Sequence, residues 1–123
     1  MRAVSVNQTF IERVKNNFGE KFADALAAYV SGTDYKIFPS MLHDDFHWES
    51  WTEIKMGLQV ETKETTLALF SNPTPNETSK VFLATDDILV VGYRAAAYGS
   101  ILFTYEFQDG VAVRAFSARG EIP

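Results

Sequence analysis

The closing stretch of the chain, from Ser79 to Arg119, constrains the fold more than any other. Lys80–Thr85, Ile88–Tyr98, Ile101–Gln108 and Val111–Arg119 are rich in β-branched and aromatic residues. Asp86-Asp87, Gly99-Ser100 and Asp109-Gly110 separate them. Such dipeptides join neighbouring strands as hairpins. Sequential antiparallel strands are therefore predicted.

Parity within these strands decides which side chains meet. A three-residue turn at Gln108-Asp109-Gly110 sets Phe107 against Val111, Tyr105 against Val113 and Phe103 against Ala115. One face then carries Ile101, Phe103, Tyr105, Phe107, Val111, Val113, Ala115, Ser117 and Arg119. The other carries Leu102, Thr104, Glu106, Ala112, Arg114, Phe116 and Ala118. A two-residue turn would mix these sets; the chosen register segregates most of the apolar area. A two-residue turn at Gly99-Ser100 extends the pattern and pairs Arg94 with Tyr105. Ile88, Val90, Gly92, Arg94 and Ala96 then join the richer, inner face. Leu89, Val91 and Tyr93 fall on the outer one. Both faces are apolar, and helices can cover only one. The outer face, with Leu102, Phe116, Val91 and Tyr93, needs a second cover, and the simplest is another copy of the sheet. A homodimer through the outer sheet face is expected.

The first half supplies the helices. Thr9 and Glu12 have the spacing of a capping box. Ile11, Val14, Phe18, Phe22, Ala25, Leu26 and Tyr29 then recur at helical spacing along one face. Gly19 weakens the middle of this helix by about 1 kcal/mol relative to Ala, and Gly32 is a natural stop. A shorter helix follows within Asp34–Leu42, capped by Asp34 and disturbed by Pro39. Phe46–Trp51 predicts a strand, and Glu61–Ser71 a third helix ending before Pro73. The order is α-α-β-α-β-β-β-β in a single domain spanning 1–123.

With 123 residues, 46% of them hydrophobic, the chain suits one core. Aromatic residues reach 14%, which points to a cavity or interface lined with rings. A net charge of -5 disfavours nucleic acid. Cys is absent, which removes disulfides, thiolate metal sites and cysteine nucleophiles. The opening residues lack the apolar core of a signal peptide, and no apolar run reaches membrane-spanning length. The expected compartment is the cytoplasm, with no membrane partner. The sequons at Asn7 and Asn76 are then fortuitous.

The densest group of reactive side chains is Met41-Leu-His-Asp-Asp-Phe-His-Trp-Glu-Ser-Trp51. It could hold a His/Asp acid–base pair, or a metal on His43, Asp45 and His47. It could equally be a helix end turning into a strand. Alternation on that strand puts Phe46, Trp48 and Ser50 toward the cavity, and His47, Glu49 and Trp51 away. No metal or cofactor is expected. Arg119 could bind a ligand anion or pair with Glu121. Tyr105 could donate to a ligand or be a core tyrosine. Arg94, if inward beside Tyr105, lacks an acidic partner on its face and would call for a carboxylate or phenolate ligand.

The chain resembles the nuclear transport factor 2-like superfamily, and within it the SnoaL-like (polyketide cyclase-like) proteins. The likeness covers nearly the whole length. It rests on the long helix ending at Gly32, on Phe38 to Trp51 with Leu42, Asp44-Asp45 and Trp48, on the helix before Pro73, and on the hairpin Tyr105–Arg114. The resemblance implies an α+β fold: a curved antiparallel sheet wrapped around three N-terminal helices, a cystatin-like cone with an internal pocket. Members include isomerases, cyclases, dehydratases, epoxide hydrolases and plain binding modules, so the fold does not fix the function. Ketosteroid isomerases of this superfamily use an aspartate base, a helix tyrosine and a sheet acid. Those positions fall near Ser50, Ala25 and Phe103 here, and all three roles are vacant. Epoxide hydrolases need inward aspartates with an arginine, whereas the closing strand offers Ser117 and Arg119 without a carboxylate. Two functions stay open. One is a small-molecule-binding protein with an aromatic pocket formed by Trp48, Ser50, Arg94, Phe103, Tyr105, Ser117 and Arg119. It would take a mostly apolar acidic ligand, with or without a lyase, isomerase or cyclase step. The other is a non-catalytic dimerisation or docking module.

Overall fold

The computed structural model describes residues 17–52 and 57–120, with backbone alone at 51, 52, 57 and 58. The Thr9–Glu12 capping box, the Asn7 sequon and Glu121 lie outside the described residues. The elements are α1 (Phe18–Val30), α2 (Ile37–Ser40), β1 (Leu42–Thr52), β2 (Gly57–Thr62), α3 (Lys63–Phe70), β3 (Thr78–Ala84), β4 (Ile88–Ala95), β5 (Gly99–Gln108) and β6 (Val111–Gly120). The strands form one open, curved sheet in the order β2-β1-β6-β5-β4-β3. All neighbours are antiparallel except β1 and β6, which run parallel. The sheet is therefore mixed, not purely antiparallel as expected.

The first helix starts differently from the sequence pattern. Asn17 has extended backbone, and its side chain accepts the Glu20 N–H, so it is an N-cap. An unbroken helix through Asn17 is excluded. Asn17 Nδ2 also donates to the Ala84 carbonyl at 2.8 Å, and Gly19 N–H to the Thr85 carbonyl at 2.9 Å. Gly19 is thus in the first turn, where helix meets hairpin. A Cβ there would stand 2.6 Å from the Thr85 oxygen, so glycine is required by the close approach. The N-cap of α2 is Lys36 and not Asp34 as expected; the Asp34 carboxylate, two residues earlier, accepts from the Lys36 N–H at 2.7 Å and the Ile37 N–H at 3.3 Å. Gly32 follows α1 with φ +79°.

Strand β2 was not foreseen: Gly57–Val60 carry no expected element, and Glu61-Thr62 fall in the expected third helix. Thr62 ends it and caps α3, accepting from Thr65 N–H while Thr65 Oγ1 accepts from the Thr62 N–H. The cap places the helix start two residues after the expected Glu61. Strand β1 starts at Leu42 and takes in Asp44-Asp45, which were expected to end a helix. The observed order is α-α-β-β-α-β-β-β-β.

The core lies between α1, α2 and the inner face of the sheet. Phe22 is fully buried and packs on Phe38, Tyr105 and Phe107 at ring distances of 5.2, 4.9 and 5.0 Å. Each such ring contributes about 1.5–3 kcal/mol by burial. Tyr29 Oη donates to the Leu67 carbonyl at 2.9 Å and ties α1 to α3.

Two turns set which residues belong to this core, and both differ from expectation. Asp109 and Gly110 have φ of 52° and 76°, and Gln108 pairs with Val111, a two-residue hairpin turn. Phe107 then faces Ala112, whereas Glu106 faces Arg114. Val113 is the extra residue of a bulge, and the bulge restores parity. Beyond it Tyr105 faces Ala115 and Phe103 faces Ser117. Ile101, Phe103, Tyr105, Phe107, Ala115 and Ser117 therefore share the inner face, as expected. Ala112 joins them, fully buried, in place of Val111 and Val113. The β4–β5 turn spans three residues, because Ala95 pairs with Gly99 and Arg94 with Ser100. Leu89, not Arg94, faces Tyr105. The odd offset reverses the whole strand: Leu89, Val91 and Tyr93 face in, and Ile88, Val90, Gly92 and Arg94 face out.

Candidate functional site

The inner end of the sheet, opposite the helices, holds the aromatic cluster anticipated for a pocket. Alternation along β1 points Trp48 inward, where Ala115 is its partner on β6. Its ring lies 5.1 Å from Phe103 and 5.5 Å from Phe70. The indole Nε1–H donates to Ser117 Oγ at 2.7 Å. That bond satisfies the one polar atom of the ring and fixes its orientation. Phe103 stacks on Tyr105 at 5.6 Å and meets Tyr93 edge-on at 5.5 Å.

A cavity of about 170 Å³ opens above this floor. Trp48, Phe70 and Tyr93 supply its rings, Leu26 and Val30 its α1 wall, and Glu77 its charge. It adjoins a groove of about 460 Å³ between α1 and strands β3 and β4. The two share Leu26, Val30, Pro73, Thr74, Glu77 and Tyr93. The groove adds Glu20 and Asp24. No lysine, arginine or histidine lines either space among the described residues.

Glu77 follows Asn76, whose φ of 58° turns the chain into β3. Its carboxylate is half-buried and accepts from Tyr98 Oη. Tyr98 belongs to the β4–β5 turn, and its carbonyl accepts from Arg119 Nε at 2.7 Å. Burial, with the Glu77 charge nearby, holds the Tyr93 hydroxyl well above the usual phenol range. Burial and the Glu77 contact do the same for Tyr98. Tyr105 is fully buried, and burial followed by the Tyr93 hydroxyl beside it raises its pKa further. The Tyr93–Tyr105 approach falls short of a hydrogen bond, so the Tyr105 hydroxyl is unpartnered among the described residues. All three phenols stay protonated, and Tyr98 donates to Glu77.

The expected site residues divide accordingly. Trp48 lines the cavity. Phe103, Tyr105 and Ser117 lie behind it as its floor and its tether. Ser50 lies on the inner face beside Ser117 but does not line the cavity. Arg119 is held at the turn by Tyr98 and does not line it either. Arg94 is a correction: it is exposed on the outer face, because the longer β4–β5 turn reverses its strand. Tyr93 stands in its place. Glu77, Phe70 and Leu26 were missed. A signal for Glu77 existed, since it is the single charged residue between Phe70 and Lys80.

Apart from Trp48, the reactive side chains of the histidine-rich stretch do not line this cavity. His43 and Asp45 are exposed, and His43 Nδ1 accepts the Asp45 N–H at 3.0 Å. His47 points to the outer face, 3.5 Å from Glu49. Among the described residues no three His, Cys, Asp or Glu side chains converge as a metal site, so the His43, Asp45 and His47 set is not assembled. No described helix is long and apolar enough to cross a membrane.

No protein-family model matches the chain, and no curated protein matches it. Solved structures do. A nuclear transport factor 2-like protein of unknown function from Cytophaga hutchinsonii superposes with a TM-score of 0.57 at 12% identity, over 85% of this chain and 90% of that one. A protein provisionally called a ketosteroid isomerase, from Kribbella flavida, gives 0.55 at 15% identity over 84% and 81%. A de novo designed protein with a curved β-sheet gives 0.62 at 12% identity over 84% and 85%. The chain has the nuclear transport factor 2-like fold, as the sequence resemblance implied. Of the three positions that the resemblance matched to ketosteroid isomerase roles, Ala25 and Phe103 are buried in the core.

Proposed function

We propose that the chain is a SnoaL-like small-molecule-binding protein whose ligand sits against Trp48, Phe70 and Tyr93 with Glu77 as its charged contact. The observation that carries this is the convergence of those four side chains on one cavity of about 170 Å³, with mostly apolar walls and few polar groups. An acidic ligand is not favoured. Its motive was Arg94 or Arg119 in the pocket, but Arg94 faces outward, Arg119 donates to the Tyr98 carbonyl and does not line the cavity, and the cavity's own charge is negative. Trp48 fluorescence under titration with a neutral single-ring compound tests the proposal. Quenching or a blue shift that saturates, and that disappears in Trp48→Leu, is expected. No response at millimolar probe ends it.

A catalytic step is the second reading, and one observation favours it. Glu77 is a proton acceptor and Tyr93 a protonated donor on the same cavity wall, the pair that proton transfer next to a carbonyl requires. The test is deuterium exchange from solvent into a bound cyclic ketone, followed by NMR. Exchange that Glu77→Gln abolishes supports an isomerase- or lyase-type step; exchange at the buffer rate leaves binding alone.

We also propose that two copies pair through the outer sheet face, rather than that this face meets another protein. Leu102, Phe82 and Val60 are 47%, 59% and 59% exposed there. Beside them Arg114 lies over the Phe116 ring at 3.9 Å and pairs with Glu106 at 3.5 Å, charges of both signs that a two-fold axis can match. Light scattering should give a dimer mass, halved by Leu102→Glu. A wild-type monomer at tens of micromolar removes the dimer.

A further inference from the structure

We propose that the cavity is built for an alkylammonium group on a small organic molecule. This rests on the ligand-binding reading above and adds the sign and chemistry of the ligand. Glu77 forms no ion pair among the described residues; its contact is the Tyr98 hydroxyl. A half-buried carboxylate with one neutral donor is incompletely compensated for the water it has lost. The free volume beside it is walled by an indole, a phenyl and a phenol, from Trp48, Phe70 and Tyr93. Aromatic faces attract cations through their quadrupole, and attract them most when water is excluded. A carboxylate set among three rings therefore favours a cation over a neutral group of the same shape.

Size and surroundings agree. About 170 Å³ holds a methylated ammonium head and little more, so the rest of such a ligand must lie outside. The adjoining groove supplies that space along an apolar wall, with Leu26, Val30, Leu89 and Val91, and it adds Glu20 and Asp24. Nothing cationic lines either space among the described residues. The alternative anchor for Glu77 within the chain, Arg119, is directed to the Tyr98 carbonyl and ring.

The experiment compares three molecules of one shape on the full chain by calorimetry: choline, its neutral carbon isostere 3,3-dimethylbutan-1-ol, and the anion 3,3-dimethylbutanoate. Choline should bind about ten-fold tighter than the isostere or better, and the anion weakest. In Glu77→Gln, with folding checked by thermal melting, the choline preference should fall to within about two-fold while the isostere binds as before. Equal binding of choline and isostere to the wild type overturns the ammonium proposal and leaves the pocket reading standing. No binding of any of the three overturns both. A choline preference undiminished in a folded Glu77→Gln overturns the role of Glu77. If that variant does not fold, the wild-type comparison decides alone.

Discussion

Two hollows lie on opposite sides of the same strands and carry opposite charge. The inner cavity and its groove are lined by Glu20, Asp24 and Glu77 and by no basic residue among those described. On the outer side, a hollow of about 470 Å³ is lined by Lys80 and Arg94 and, among the described residues, by no acid. Its floor includes Gly92, Ala118 and Gly120, where side chains are small or missing, and the Phe82 ring leans over Gly92. Tyr93 and Arg94 are neighbours in sequence and serve opposite faces. The charge that a sheet presents to a ligand is thus set by the length of a turn. One residue more between β4 and β5 exchanges a phenol for a guanidinium in the pocket wall. The two hollows also differ in cost. Lys80 and Arg94 are in or near solvent, whereas Glu77 is half-buried and must find compensation.

The sharpest way to break this contrast is to load each face of β4 with the same charge. Leu89 is fully buried against Tyr105, and Val90 is its half-buried outward neighbour. Leu89→Lys should cost more than about 4 kcal/mol, or prevent folding, because an unpaired ammonium enters the core. Val90→Lys should cost about 1 kcal/mol or less. Urea midpoints measure both. Equal losses, or a larger loss at Val90, would show that the strand is reversed and that Arg94 faces the pocket after all.

A smaller effect sharpens the inner side. Ser117→Ala leaves the Trp48 N–H without its acceptor, at a cost of about 1–2 kcal/mol, and frees the ring to turn from the cavity wall. The same change in a Trp48→Phe background should cost close to nothing, since the partner is gone. If the two costs are equal, the 2.7 Å bond does not hold Trp48.

The sequence was most legible where alternation and composition worked together. Trp48, Phe103, Tyr105 and Ser117 were placed on one face correctly, although the turn beside them was wrong. The Val113 bulge cancels the shorter turn, and parity survives by compensation. At β4 nothing cancels the error. Gly99-Ser100 looks like a two-residue turn, but the chain spends Ala96, Ala97 and Tyr98 there instead and puts Gly99 at φ 87°. Alanine and tyrosine carry no turn signal, so composition could not reveal it. Strand β2 was hidden for another reason. Its Glu61-Thr62 end abuts the α3 cap, and helical residues just beyond drew the helix backward. Glu77 lay in a loop without periodicity, so only its isolation among uncharged neighbours marked it. The cavity's chemistry was therefore the least legible part, because it depends on loop residues and on one turn length.

The least costly test concerns Tyr105, the buried hydroxyl without a partner. Tyr105→Phe deletes an unsatisfied polar atom and keeps the ring that packs on Phe22 and Phe103. At neutral pH it should be neutral, or stabilising by up to about 1 kcal/mol. Its effect on alkaline stability has a definite sign. The folded-state pKa lies above the ordinary value of 10.0, so below that pH both states stay protonated and the group contributes no slope. Above it the unfolded chain releases the proton first, and stability falls by about 1.4 kcal/mol per pH unit for each such tyrosine. Wild type and Tyr105→Phe should run parallel up to about pH 10 and then diverge, the variant falling less steeply because it has one raised tyrosine fewer, with Tyr29, Tyr93 and Tyr98 remaining. Destabilisation at neutral pH would mean that the hydroxyl has a partner after all. Identical alkaline slopes would mean that Tyr105 ionises as easily folded as unfolded, which a side chain sealed on the inner face of this sheet cannot do.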